Sequence, residues 1–210
     1  EVRVEGVFSH LASSDNSNDD DFSNSQFIAF EKITKKLEGA FGYSLIKHML
    51  NTAGIERFKN KQYDMVRLGL GIYGLSKNKS TLPVLSLKTK ISQIKKINKG
   101  DSIGYGTMHK VYKPTKIGII PIGYADGFSR AYSNARGSVY VNGKTVPIIG
   151  SVCMDMAMID ITNVATKEGD LVEIFGDNRL ITQMAEDINT IPYEILTSIS
   201  ERVVRVYLDE

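Results

Sequence analysis

The 210-residue chain has one cysteine, Cys153, so no internal disulfide can cross-link it, which fits a reducing compartment and a cytoplasmic location. No apolar run approaches the roughly 20 residues that span a bilayer. A signal-peptide start is missing too, because Glu1-Val2-Arg3-Val4-Glu5 puts charges where an apolar stretch would lie. That segment reads as an alternating strand already under way at residue 1, as expected of a piece cut from a longer chain. Charge imbalance is also lacking: 26 Lys+Arg against 24 Asp+Glu leaves a formal +2, which gives no electrostatic case for nucleic acid or acidic membranes. The basic run Lys88–Lys99 alternates with apolar residues and reads as the wet face of a strand. Finally, there is no Cys/His cluster for zinc. The acidic stretch Asp15–Asp21 lacks the sixth-position glycine and the twelfth-position glutamate (Gln26 stands there) of a calcium loop, so it reads as a solvated helix entry and no metal is expected.

What remains is a folded-protein composition, 42% hydrophobic and 24% charged, in two stretches with different grammar. Residues 1–75 alternate strand and helix signals. Val2–Leu11 and Tyr43–Leu50 read as strands, and Tyr63–Tyr73 as a buried parallel strand. Phe22–Leu37 reads as a helix with Phe27, Phe30, Ile33 and Leu37 on its apolar face and Ser23 or Ser25 as N-cap. The polar, proline-bearing stretch at 76–84 reads as a linker. Residues 85–210 then carry short strands, Leu85–Ile97, Lys116–Ile122, Ser138–Val141, Thr145–Ile149, Met156–Asp160 and Leu171–Phe175, with one helix at Ile181–Ser198. Asn142-Gly143 between two of these strands is a two-residue hairpin signal. The fold class expected is α/β plus β, with a compact barrel or sandwich in the second half.

Three segments are hard to explain as scaffold. Gly123-Tyr124-Ala125-Asp126-Gly127 ends an apolar strand on a glycine-bracketed turn that exposes a tyrosine and an aspartate. Gly150-Ser151-Val152-Cys153-Met154-Asp155 leads from a sulfur-rich stretch to one carboxylate. Gly104-Tyr105-Gly106 pins a tyrosine between glycines. Each alone is a weak signal, and a tyrosine between glycines is more often a turn residue than a base. His109 lies in a charged loop and reads as solvated.

Together with His48-x-x-Asn51-Thr52-Ala53-Gly54, the run Asp64–Gly74 (DMVRLGLGIYG), Ile191-Pro192-Tyr193-Glu194 and Ser200-Glu201-Arg202-Val203, these segments resemble the alanine racemase family, in the family's order, from about His10 to Arg205. The resemblance implies the last strands and helices of a (β/α)8 TIM-like barrel followed by a mainly β C-terminal domain. Active sites of such barrels lie at the C-terminal ends of the strands, where His10, Asn51 and Arg67 fall. It also implies pyridoxal 5'-phosphate as cofactor, L- and D-alanine as substrates, D-alanine supply for peptidoglycan, and a head-to-tail homodimer.

Racemisation needs a base on each face of the substrate. In the family one is the lysine that holds the cofactor and the other a tyrosine, matched here by Tyr105. A phenol with an intrinsic pKa of about 10 needs cationic or hydrogen-bonding help to act as a base at neutral pH. The resemblance assigns that help to His10 and Arg67, with His48 beside Arg67. Arg67 itself, a donor only, would face the cofactor ring. His48 and Asn51 match cofactor-binding positions, Thr52, Gly69, Leu70 and Tyr193 the cofactor's phosphate side, and Tyr124, Met154 and Asp155 the substrate side. By residue type alone Arg67 reads as a strand-end arginine, Thr52 as a helix cap and Tyr193 as a helix-face core residue. The cofactor lysine is expected upstream of residue 1, so this chain alone would form an incomplete site. A serine or broad-specificity racemase, or a non-catalytic β-barrel binding module, stays open as an alternative.

Overall fold

Phe27, Phe30 and Thr34 recur at the spacing that stacks side chains along one line of a helix. The computed structural model, which describes residues 2–76, 81–107 and 109–208, buries all three on one helix, Asp20–Phe41. The described chain divides into two compact units, Glu1–Val84 and Leu85–Glu210. The stretch 76–84 expected as a linker falls partly on 77–80, which lie outside the described residues.

In the first unit, strand β1 (Gly6–Phe8) pairs in parallel with β2 (Ile46–His48), and the long helix α1 (Asp20–Phe41) connects them. Both strands are shorter than the alternation at 2–11 and 43–50 predicts. Helix α1 starts earlier than Phe22. A 3-10 turn at Ser17–Asp19, closed by the Asn16 side chain accepting from the Asn18 N–H, runs straight into it. Asp20 and Asp21 place negative charge in its first turn, where the helix dipole favours it. Ser23 and Ser25 therefore sit inside the helix rather than capping it. The helix stops at Gly42, whose left-handed φ of 75° turns its N–H back to the Glu38 carbonyl. Its buried face carries Phe27 and Phe30 against Leu11, Met49 and Leu50. Ile33, expected on that face, is exposed, and Thr34 takes the inward place, because six residues from Phe27 is about 120° off the line while seven is only about 20° off it. A short helix α2, Thr52–Arg57, follows β2 and is capped by Asn51.

Tyr63–Tyr73 is not a strand. It makes one isolated parallel bridge, Met65 to His48, and then forms a 3-10 turn at Leu70–Tyr73. The reason is local. Gly69 leaves the extended region (φ −102°, ψ −107°), and the N–H groups of Gly69 and Gly71 go to the Thr52 hydroxyl instead of a neighbouring strand.

The second unit is built on a seven-stranded antiparallel sheet. Its strands are β3 (Leu87–Lys90), β4 (Gln93–Ile97), β7 (Thr115–Ile120), β8 (Ser138–Val141), β9 (Lys144–Ile149), β10 (Ala157–Asp160) and β11 (Leu171–Phe175), in the order β3-β11-β8-β9-β10-β7-β4. The expected single strand 85–97 is broken at Ile91-Ser92, where Ile91 N–H donates to Asp170 and Ser92 N–H to Ile119. One half thus pairs with β11 and the other with β7. The two edge strands are consecutive stretches of chain, so the sheet curls round on itself and presents little free edge. Alternating β8 buries Val139 and Val141, and β9 buries Val146, Ile148 and Ile149. Asn142 (φ 45°) and Gly143 (φ 83°) make the hairpin turn between them, as their positive φ values require.

A small hairpin, β5 (Ser102–Ile103) with β6 (His109–Lys110), precedes β7, so His109 is on a strand rather than in a loop. The helix expected at Ile181–Ser198 is two: α3 (Ile181–Asp187) and α4 (Pro192–Ser198). Asn189 adopts a left-handed φ of 58°, and Pro192, lacking an N–H, can only begin a new helix. Among the described residues no helix is long and apolar enough to cross a membrane.

Candidate active site

In the first unit the chain segments after β1, after β2 and after the Met65 bridge converge on Arg67. Nη1 of Arg67 lies 2.6 Å from His48 Nδ1. Nη2 donates to the carbonyls of Ser9 (2.8 Å) and Met49 (3.2 Å) and lies 3.1 Å from His10 Nδ1. The guanidinium sits 5.5 Å from the centre of the Phe8 ring, which stacks at 5.3 Å on the His48 ring. A guanidinium only donates, so the His48 Nδ1 at 2.6 Å must accept, and the neutral His48 imidazole keeps its proton on Nε2. Burial, and then the Arg67 charge, hold the His48 pKa below its ordinary value. Both effects favour the neutral ring that the contact requires.

Beside this cluster Thr52, buried at the start of α2, accepts from the N–H groups of Gly69 (3.0 Å) and Gly71 (3.2 Å). Its own hydrogen is left to donate. A Cβ at Gly71 would lie 2.6 Å from Leu68 Cδ1 and 3.0 Å from Thr52 Cγ2, so a side chain there would have to push the Leu68 side chain aside. Leu70 lies in the same turn, between the two glycines. Asn51 plays a different part. Its Oδ1 accepts from Gly54 N–H (2.9 Å) and from Ser14 Oγ (2.8 Å), which caps α2 and sets the position of Thr52.

In the second unit Tyr105 stands between Gly104 (φ 80°) and Gly106 (φ 71°). The two left-handed residues throw its side chain outward, where it is 75% exposed. Tyr105 lines a cleft of about 480 Å³ together with Lys95, Cys153, Met154 and Asp155. Close backbone approach builds the cleft wall, since a Cβ at Gly104 would be 3.0 Å from Ser151 N and one at Gly150 2.9 Å from the Ile103 carbonyl. Tyr124 sits on the adjoining turn, whose Tyr124 and Ala125 N–H groups donate to the carbonyls of Cys153 and Met154, each at 3.0 Å. Tyr193, on α4, is half-exposed and is not among the residues lining this cleft.

Sequence reasoning met Asp126 on its turn and Arg202 in a shared motif but gave neither a role. Arg202 Nε donates to Asp126 Oδ1 (2.7 Å) and Nη2 to Asp155 Oδ1 (2.5 Å). Burial works against ionisation of Asp126, but the Arg202 hydrogen bond, the Gly123 N–H and the Arg202 charge outweigh it and hold the carboxyl below the usual range. Nothing in the local stretch Ser200–Val203 distinguishes this arginine from a solvated one; only the fold reveals its partners. Phe8 was likewise invisible as a ring partner of His48.

An α/β unit whose loops converge on an arginine between two histidines, followed by a curled β unit with an outward tyrosine over a cleft, has the two-domain organisation of an amino acid racemase. Residues 84–207 match the alanine racemase C-terminal domain and residues 1–77 the alanine racemase N-terminal domain. The chain belongs to the alanine racemase family. Alanine racemase 2 of Caldanaerobacter subterraneus subsp. tengcongensis is 41% identical over 99% of this chain, which spans 56% of that relative. The alanine racemase of Bartonella henselae with covalently bound pyridoxal phosphate superposes with a TM-score of 0.86 at 31% identity, over 98% of this chain and 57% of its own. That of Bacillus anthracis with bound L-Ala-P gives 0.85 at 34% identity, over 96% of this chain and 54% of its own.

Proposed function

We propose that the full-length protein is a pyridoxal-phosphate-dependent alanine racemase that interconverts L- and D-alanine in the cytoplasm and supplies D-alanine for peptidoglycan. The single observation that carries this reading is the placement of Arg67 with its two terminal nitrogens against His48 and His10. In this reading the first unit is the end of a (β/α)8 barrel, and its strand-end loops hold the cofactor.

The residues present fit that group. A phosphate needs several donors at close range, and the Thr52 hydroxyl beside the glycine-bearing turn at 69–71 supplies a hydroxyl donor and a backbone that can approach closely. Tyr193 and the Leu70 backbone would bound the phosphate side, and Asn51 would hold Thr52 in place as the helix cap. When bound, the cofactor spreads the negative charge left on the α-carbon after proton removal. Arg67 would face its ring nitrogen as a permanent donor and keep that nitrogen unprotonated. Arg67 would in this way favour proton return over transamination.

Tyr105 would take and return the α-proton on one face through its phenolic oxygen. Its help would come from His10, which is already oriented by Arg67. The lysine that holds the cofactor would serve the other face. Tyr105 is too exposed in its own cleft wall to be a buried structural tyrosine, as a group reaching a second subunit's site in a head-to-tail dimer would be. Tyr124, Met154 and Asp155 would receive the substrate carboxylate side.

The deciding experiment takes the full-length protein, looks for the absorption band of lysine-held cofactor, and measures D-alanine formed from L-alanine. Both are expected. Absence of the band would favour a non-catalytic binding module, and serine turned over as fast as alanine would favour a broad-specificity racemase.

A further inference from the structure

Three separate stretches of chain meet around Arg202. The Tyr124 turn and the Cys153–Asp155 loop are joined by two backbone hydrogen bonds. There is no room for a side chain between them, since a Cβ at Gly123 would fall 2.3 Å from the Cys153 carbonyl oxygen. The C-terminal segment closes on the same turn from the other side. Ser200 N–H donates to the Asp126 carbonyl at 3.1 Å, and Ser198 Oγ to the Gly127 carbonyl at 3.1 Å. Arg202 then spans both loops with one guanidinium, reaching Asp126 from Nε and Asp155 from Nη2.

An isolated surface ion pair would contribute little here. This one differs in two respects. The Asp126 side chain is only 14% exposed, and its other oxygen already holds the Gly123 N–H at 2.8 Å. Removing Arg202 would therefore leave a largely buried carboxylate with half its partners, on the turn that carries Tyr124. It would also release Asp155, and with it the loop that carries Met154, from the Tyr124 turn. Lysine would replace it only in part: an ammonium is a point charge, whereas the planar fork reaches two acceptors at fixed angles.

We propose that Arg202 is a positioning residue, locking the Tyr124 turn to the Met154–Asp155 loop so that together they form the receptor for the substrate's carboxylate end. The proposal rests on the racemase reading, which places Tyr124 and Met154 against the substrate. Arg202 itself touches neither substrate nor cofactor; it acts through the two aspartates.

The test uses the full-length holoenzyme with R202Q and R202K, and with D126N to break one arm only. Loss of a charge-assisted hydrogen bond on this scale should raise the KM for alanine about tenfold or more in R202Q, with kcat within about threefold. R202K should recover only part of the loss, and D126N should fall between wild type and R202Q. Amide hydrogen exchange supplies the readout that does not depend on activity: the Tyr124 and Ala125 N–H groups should exchange faster in all three variants. An unchanged KM in an R202Q enzyme that is folded overturns the proposal. So does a raised KM with unchanged exchange at both amides. If R202Q does not fold, R202K and D126N decide by the same two measurements. A wild-type protein without racemase activity sinks the functional reading, whereas an active wild type with indifferent variants sinks this proposal alone.

Discussion

His48 and Arg67 share a contact of 2.6 Å between Nδ1 and Nη1, and the donor-only chemistry of the guanidinium fixes which partner accepts. The imidazole is therefore held neutral, with Nε2 carrying its proton, while its face stacks on Phe8. Three strand-end segments are tied together by this one side chain, because Arg67 also donates to Ser9 and Met49.

That relationship sets a pH dependence. The folded-state pKa of His48 lies below its ordinary value of 6.5, so the unfolded chain takes up this proton more readily than the folded one. The resulting loss of stability is absent above about pH 6.5 and grows as pH falls toward the lowered folded value. Urea unfolding at pH 7.5 and 5 should show a larger drop for the wild type than for His48→Asn, which offers an acceptor that does not titrate. Equal drops would show that His48 is not the titrating group.

Tyr105→Phe removes the phenolic oxygen from an exposed side chain, so folding should be unaffected. In the full-length protein the cofactor band should persist while racemisation falls by about a hundredfold or more. Exchange of the α-proton with solvent deuterium should fall unequally for the two enantiomers, since only one face loses its base. Full activity would remove Tyr105 from the mechanism.

Thr52→Val keeps the shape but removes the acceptor for the Gly69 and Gly71 N–H groups. Leaving two part-buried donors unpaired should cost about 1–3 kcal/mol of stability. The cofactor concentration for half-saturation should also rise, read by titrating the apoprotein. A shift in stability with no shift in cofactor affinity would leave Thr52 as a structural residue only.

Gly143→Ala tests the hairpin apart from any function. At a φ of 83°, with no neighbouring atom within 4 Å of the new Cβ, the cost is purely conformational, about 1–2 kcal/mol. Thermal unfolding should register it with no change in cofactor binding.

Much of the second unit was legible in its residues. Ser138–Val141 and Leu171–Phe175 are strands with the predicted ends, because their side chains are predominantly β-branched or aromatic and turn residues bound them. Asn142-Gly143 was legible for a related reason: few dipeptides tolerate positive φ. Less was legible where long-range partners outvote local preference. The apolar run 63–73 has strand composition, yet its amides are claimed by Thr52. The apolar spacing across 181–198 is helical, yet Asn189 and Pro192 divide it.

For this protein the sequence by itself determined the α/β-then-β order, the glycine setting of Tyr105 and the motifs shared with the alanine racemase family. These depend on residue type and spacing along the chain. Only the tertiary structure decided that Arg67 lies between two histidines from other strand ends, that Asn51 accepts from the Ser14 hydroxyl, and that Arg202 spans Asp126 and Asp155. Those contacts join residues as many as 76 positions apart, and no local pattern encodes a partner at that distance. It is the packing of strands and loops that brings a donor within reach of its acceptor.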